Sequence, residues 1–201
     1  MIRNKFLFYL LSFTWGLLMT TAGCIVALAL LITRHKPQKW GYCYYFEVGK
    51  NWGGLEFGPI FLVDKNSLAY IKKHELGHGM QNCWLGPLFP FIVCIPSATR
   101  YWLREFKTHK SKRIYAAILT ACLALVGVGL MLIPLLAFDI FGCLLIMYTI
   151  ILAVWLFFVE IPQYDVGKKA PGYYDIWFER QASNLGKEFI NWYDNTKRPQ
   201  K

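Results

Sequence analysis

Two histidines stand four residues apart, with a glutamate directly after the first, at His74-Glu75-Leu76-Gly77-His78. On a helix such histidines project from one face, about a turn apart. Two imidazole nitrogens so placed can share one tetrahedral Zn²⁺. Glu75, beside the first ligand, can reach a water on that metal. This is the metallopeptidase arrangement, in which zinc acidifies the water and the glutamate removes its proton. The residue types therefore predict His74 and His78 as metal ligands and Glu75 as the catalytic base. Gly77 and Gly79 share the helix, each at a cost of about 1 kcal/mol relative to alanine. That cost is explained if another element packs close. The plainer reading is a surface helix with incidental histidines, since Lys72 and Lys73 start it near water.

Zinc held by two histidines needs a third protein ligand and keeps one open position. His109 lies in the basic run Lys107-Thr108-His109-Lys110, which repels a dication and reads as a solvated face. Asp139 is expected on the far side of a membrane, and Glu160 at a span end facing the headgroups. Glu179, in Trp177-Phe178-Glu179-Arg180-Gln181-Ala182-Ser183-Asn184, can turn inward to a metal or pair at the surface with Arg180. Gln81 shares the face of His74; it reads either as orienting a ligand or the C-terminal helix, or as a polar helix end. Tyr173 and Tyr174 can supply a hydroxyl to an oxyanion, or serve as interfacial aromatics.

These residues must be positioned by a membrane-embedded chain. Of 201 residues 56% are hydrophobic and only 17% charged, against about 25% charged in a soluble domain. An aromatic content of 17% excludes disorder. The six cysteines lack the tight spacing of a disulfide scaffold; Cys83 and Cys94 are expected as free thiols. Phe6–Thr33 carries no charge and predicts one uncleaved span over 6–33. Ile114–Pro162 suffices for two, over 114–136 and 140–161, reversing near Pro134, Asp139 and Gly142. Cys83–Trp102 contains three prolines and predicts a re-entrant or interfacial piece.

The net charge of +10 sits at span ends and so reports topology; no nucleic-acid partner is expected. Arg100, Arg104, Lys107, Lys110, Lys112 and Arg113 precede the hairpin, and Lys168 and Lys169 follow it. Its ends are therefore placed in the cytosol, with the N-terminus outside. Of the polar parts, 34–113 and 163–201, the first predicts strands over Tyr42–Val48 and Leu55–Val63, pairing as a hairpin. Gly58-Pro59 suggests an edge strand or bulge in the second. A helix follows over Ser67–Gln81, capped by Asn66 or Ser67. After a break at Pro171-Gly172, Tyr174–Tyr193 predicts an amphipathic helix packing through Ile176, Trp177, Leu185, Phe189 and Ile190. The fold class is mainly α: a single domain over 1–201 with three transmembrane helices and a small cytosolic portion bearing a β-hairpin.

The order of a span, H-E-x-x-H on a cytosolic helix, a transmembrane hairpin and then E-x-x-A at Glu179–Ala182 resembles the membrane gluzincin peptidases. That family includes the bacterial heat-shock membrane endopeptidase and the type I CAAX prenyl endopeptidase. The resemblance implies Glu179 as third zinc ligand, beside His74, His78 and Glu75. Ser183 and then Asn184 stand where the family carries an aspartate that supports the first histidine. An oxygen of either can still accept an imidazole N–H. The resemblance also implies that an edge strand, here Leu55–Phe61, binds substrate backbone. It predicts a Zn²⁺-dependent endopeptidase of the cell (inner) membrane, its site on the cytosolic side, acting on membrane-associated proteins or peptides. The alternative is a catalytically inactive membrane protein of the same fold, using the metal for structure or binding. An intramembrane protease of the site-2 class fits less well, because Lys72 and Lys73 directly precede His74.

Overall fold

A computed structural model describes residues 1–65, 68–164 and 172–197. The chain divides into two compact units, Met1–Val93 with Tyr174–Lys201, and Cys94–Tyr173. The elements are α1 (Lys5–Phe13), α2 (Leu17–Ile32), β1 (Gln38–Trp40), β2 (Cys43–Glu47), β3 (Gly54–Phe57), β4 (Ile60–Val63), α3 (Ala69–Leu85), α4 (Ile95–Glu105), α5 (His109–Met131), α6 (Leu136–Val154) and α7 (Trp177–Lys197).

In the first unit the apolar run over 6–33 is not one straight helix. It breaks between Phe13 and Leu17, and α1 and α2 meet at 91°. Polar groups around the bend find partners, so breaking the helix leaves them satisfied. The Trp15 indole donates to the Trp84 carbonyl at 3.1 Å, the Asn82 amide to the Gly16 carbonyl at 3.4 Å, and the Thr20 hydroxyl to the Ser12 carbonyl at 2.7 Å. A Cβ on Gly16 would lie 2.5 Å from Asn82 Nδ2, and one on Gly23 2.6 Å from the Phe57 carbonyl oxygen. The corner thus folds onto α3 and the sheet, through small residues that hydropathy alone reads as lipid-facing.

The sheet has four strands in the order β1-β2-β4-β3. The predicted hairpin between 42–48 and 55–63 is corrected: β2 and β4 are parallel, with Tyr44 opposite Ile60. The stretch 55–63 is itself split by Gly58-Pro59 into the antiparallel pair β3/β4, Phe57 facing Ile60. Gly58 has φ +72°, the left-handed backbone that a two-residue hairpin asks of its first central position. Proline without its N–H is tolerated in such a turn. The unanticipated β1 pairs antiparallel with β2. The outcome leaves β3 at an edge. Phe8, Tyr42, Tyr45, Phe61, Leu76, Met80 and Phe189 form one buried cluster joining α1, the sheet, α3 and α7.

The predicted N-cap at Asn66 or Ser67, the break at Pro171 and the charges of Lys168 and Lys169 lie outside the described residues. In α7 Phe178, Ala182, Leu185, Phe189 and Ile190 are buried, but Trp177 is 57% exposed. The inward register begins at Phe178, because its face must also bury Glu179. A Cβ on Gly77 would lie 1.9 Å from the Ala182 carbonyl oxygen, and one on Gly186 1.7 Å from that of Lys73. Main chain therefore touches main chain where α3 and α7 cross, which accounts for the cost of Gly77.

In the second unit α5 starts at its cap Thr108, whose hydroxyl accepts from the Ser111 amide at 3.1 Å. Both ends of the hairpin turn therefore fall earlier than the predicted 114–136 and 140–161. The chain reverses over 132–135, at Pro134, while Asp139 lies in the first turn of α6. Gly142 belongs to the packed interior of the hairpin rather than its reversal: a Cβ there would meet the Gly127 carbonyl oxygen at 2.6 Å. α6 continues through a π-type turn over Trp155–Glu160 and a 3₁₀ turn to Tyr164. His109–Met131 and Leu136–Tyr164 are each long and apolar enough to cross a membrane. The broken pairs Lys5–Phe13 with Leu17–Ile32, and Ala69–Leu88 with Pro90–Glu105, bring the count to at most four if each is one span. The second pair covers the segment predicted as re-entrant or interfacial.

Glu160 is corrected from a headgroup-facing carboxylate to a buried one. Arg100 Nη1 lies 2.9 Å from its oxygens, the Tyr164 hydroxyl donates to it at 3.1 Å, and Arg100 Nη2 donates to the Gly172 carbonyl at 2.8 Å. Removing one member of a buried pair leaves an uncompensated charge, at about 3–5 kcal/mol. Glu160→Ala is expected to lower the thermal unfolding midpoint in detergent substantially. The double variant Arg100→Met, Glu160→Met should recover most of the loss.

Candidate metal centre

α3 presents His74 and His78 a turn apart, and α7 brings Glu179 across the crossing made possible by Gly77 and Gly186. The two Nε2 atoms are 3.0 Å apart. Glu179 Oε2 lies 2.9 Å from Nε2 of His74 and 3.3 Å from that of His78. Ligand atoms around a tetrahedral dication with bonds of about 2.0–2.1 Å stand roughly 3.3 Å apart. The three atoms are thus within a few tenths of an ångström of that spacing, and the group can hold a metal ion. Glu179 is fully buried, and its Oε1 has no hydrogen-bond partner among the described residues. An orphaned carboxylate oxygen beside two imidazoles fits a cation site better than a finished salt bridge.

The outer nitrogens of both rings are engaged. His74 Nδ1 is 2.9 Å from the Ser183 hydroxyl, and His78 Nδ1 is 2.8 Å from Gln81 Oε1. Gln81 is buried, and its Nε2 donates to the Phe178 carbonyl at 2.8 Å and to Gln181 Oε1 at 2.9 Å. Asn184 is exposed on α7. Of Ser183 and Asn184, it is Ser183 that meets the ring. Tyr174 sets its ring edge-on to His74, centroids 5.0 Å apart, and burial is the main cause pushing its phenol up to about 12. The hydroxyl therefore remains a donor at neutral pH.

Glu75 is buried next to the edge strand. A Cβ on Gly54 would lie 2.4 Å from Glu75 Oε1, so this glycine makes room for the carboxylate. Burial pushes the Glu75 carboxyl up to about 7, with His78 pulling it down and Glu179 adding to the rise. That suits a group that takes and returns a proton near neutrality. Burial also opposes charge on Glu179, but hydrogen bonds from His74 and His78 outweigh it and hold this carboxyl well below the carboxylate range. Burial lowers His74. His78 is lowered by burial but raised more by Glu179, Glu75 and Glu56, reaching about 9. At about pH 8 the cation-free cluster therefore holds a proton that a metal must displace. Zinc uptake is expected to release about one proton there, and affinity should rise with pH until the cluster deprotonates near 9. Calorimetric titration in buffers of different ionisation enthalpy measures this.

Two participants escaped the sequence reading. Gly54 closes the run Gly49-Lys50-Asn51-Trp52-Gly53-Gly54, whose composition reads as a turn. Glu56 alternates with apolar Leu55 and Phe57 yet points inward: the Gly58 amide donates to its Oε1, and its Oε2 has no partner among the described residues. Burial raises its carboxyl well above the usual range. A glycine beside the turn was a weak signal for the first, and nothing in the sequence marks the second. His109, Asp139 and Glu160 belong to the second unit, where His109 Nε2 meets the Tyr164 carbonyl at 2.9 Å. Comparison with protein-family models, characterised proteins and solved structures finds no match to this chain.

Proposed function

We propose that the chain is a zinc-dependent membrane endopeptidase acting on membrane-associated proteins or peptides. The observation that carries the reading is the convergence of His74, His78 and Glu179 with a buried Glu75 directly beside edge strand β3. A zinc ion held by the three residues would supply Lewis acidity to a water and to a substrate carbonyl. β3 offers unpaired backbone groups to an extended peptide, laying its carbonyl near Glu75. Glu75 takes a proton from the attacking water and returns it to the departing amine, which its raised carboxyl pKa permits. The Tyr174 hydroxyl is the donor for the developing oxyanion. In this reading the apolar hairpin α5–α6 anchors the chain in the bilayer, and by the positive-inside rule the basic residues before it support a site on the cytosolic face of the cell membrane.

The test uses the full chain, purified in detergent or nanodiscs. Metal analysis should give about one zinc per chain, and a quenched-fluorescent peptide library should be cut in a chelator-sensitive, zinc-restorable way. Zinc content without cleavage of any peptide would favour the inactive, metal-stabilised alternative. Absence of both would reject the proposal.

A further inference from the structure

The side-chain amide of Gln81 hydrogen-bonds to both helices of the metal site at once. Its Oε1 faces His78 Nδ1 on α3, and its Nε2 faces the Phe178 carbonyl, one residue before Glu179 on α7. The orientation of this amide is fixed by what surrounds it. A backbone carbonyl only accepts, so the NH₂ must face Phe178 and Gln181 Oε1. The carbonyl end is then left for His78, and Nδ1 must carry the hydrogen. A neutral imidazole with its hydrogen on Nδ1 has its lone pair on Nε2, the atom 3.3 Å from Glu179 Oε2 and 3.0 Å from His74 Nε2.

We infer that Gln81 is a positioning residue that locks His78 in its ligating tautomer and, through the Phe178 carbonyl, sets the register of Glu179 against the histidines. The inference rests on the metal reading of the site. It assigns to one neutral side chain two tasks that could have been separate, and it explains why a glutamine is fully buried on the helix face that carries His74 and His78. Because Gln81 is uncharged, it fixes the ring without adding negative charge to the centre, and the metal's charge is offset by the Glu179 carboxylate alone among its three ligands.

The experiment compares wild type with Gln81→Met, which keeps the length and loses both hydrogen bonds, and Gln81→Glu, which can still accept from Nδ1. Long-range ¹H–¹⁵N correlation on the metal-free full chain, at a pH above about 9 where the ring is neutral, reads the His78 tautomer. Chelator competition reads zinc affinity, and Co²⁺ absorption reads ligand geometry. Wild type and Q81E should hold the hydrogen on Nδ1, and Q81M should populate both tautomers. Q81M should lose about 10–100-fold in zinc affinity and shift the Co²⁺ bands, with Q81E recovering part of the loss. Wild-type tautomer and affinity in Q81M would overturn the inference. Should Q81M not fold, Q81E decides alone: hydrogen kept on Nδ1 supports the lock, and hydrogen lost from it overturns the lock. Failure of the metal reading has a different signature. Wild type that takes up no zinc, with His78 still protonated on Nδ1, would sink the peptidase while leaving the Gln81 lock standing.

Discussion

On the proposed peptidase reading, Glu75→Gln protein is expected to take up zinc as wild type does and to cleave peptides about 10³-fold more slowly. The amide keeps the shape of the side chain in the pocket that Gly54 leaves open, so the fold and the three ligands are undisturbed. It cannot accept a proton from water, so the step that needs a base is lost. The paired measurement matters: retained metal with lost turnover separates a base from a ligand, whereas Glu179→Gln should lose both. Full activity in Glu75→Gln would reject the mechanism outright.

The second large effect concerns a residue with no side chain. Gly186→Ala places a Cβ 1.7 Å from the Lys73 carbonyl oxygen, main chain that cannot rotate away. The helices must separate by more than an ångström to relieve it, while metal–ligand distances tolerate only about 0.2 Å. Zinc affinity should therefore fall at least about 100-fold, since an ångström of separation removes Glu179 from bonding range. Gly77→Ala, against the Ala182 carbonyl at 1.9 Å, should behave alike. Gly129→Ala is the control: a Cβ there meets nothing within 4 Å, and helix propensity favours alanine by about 1 kcal/mol. Zinc titration of the three variants, with circular dichroism to verify helix content, checks the ordering. Equal zinc binding in all three would mean that the crossing does not set the site.

Much of the site was legible because its parts are local. The i, i+4 spacing of His74 and His78 fixes their shared face whatever surrounds them, and two glycines on that helix announced a close neighbour. The hairpin 114–161 was legible because length and hydropathy are one-dimensional properties. The straight span over 6–33 was not, since the 91° corner exists only where Asn82 and Phe57 meet Gly16 and Gly23 and the Trp84 carbonyl meets the Trp15 indole. Strand pairing failed for a similar reason. Turn chemistry at Gly58-Pro59 was visible, but nothing local says that β2 prefers β4 in parallel.

The sequence by itself determined the chemistry on offer: two imidazoles and a carboxylate on one helical turn, apolar stretches able to enter a bilayer, and glycine where bulk is forbidden. Tertiary structure decided what residue types left open: that Glu179, which the motif order implied, turns inward to the histidines rather than outward to Arg180, that Ser183 rather than Asn184 meets His74, that Gln81 spans both helices, and that Glu160 pairs inward with Arg100. The division is physical. Helical periodicity and hydropathy act over a few residues, whereas a ligand set closes only when segments about a hundred residues apart bury the same surface.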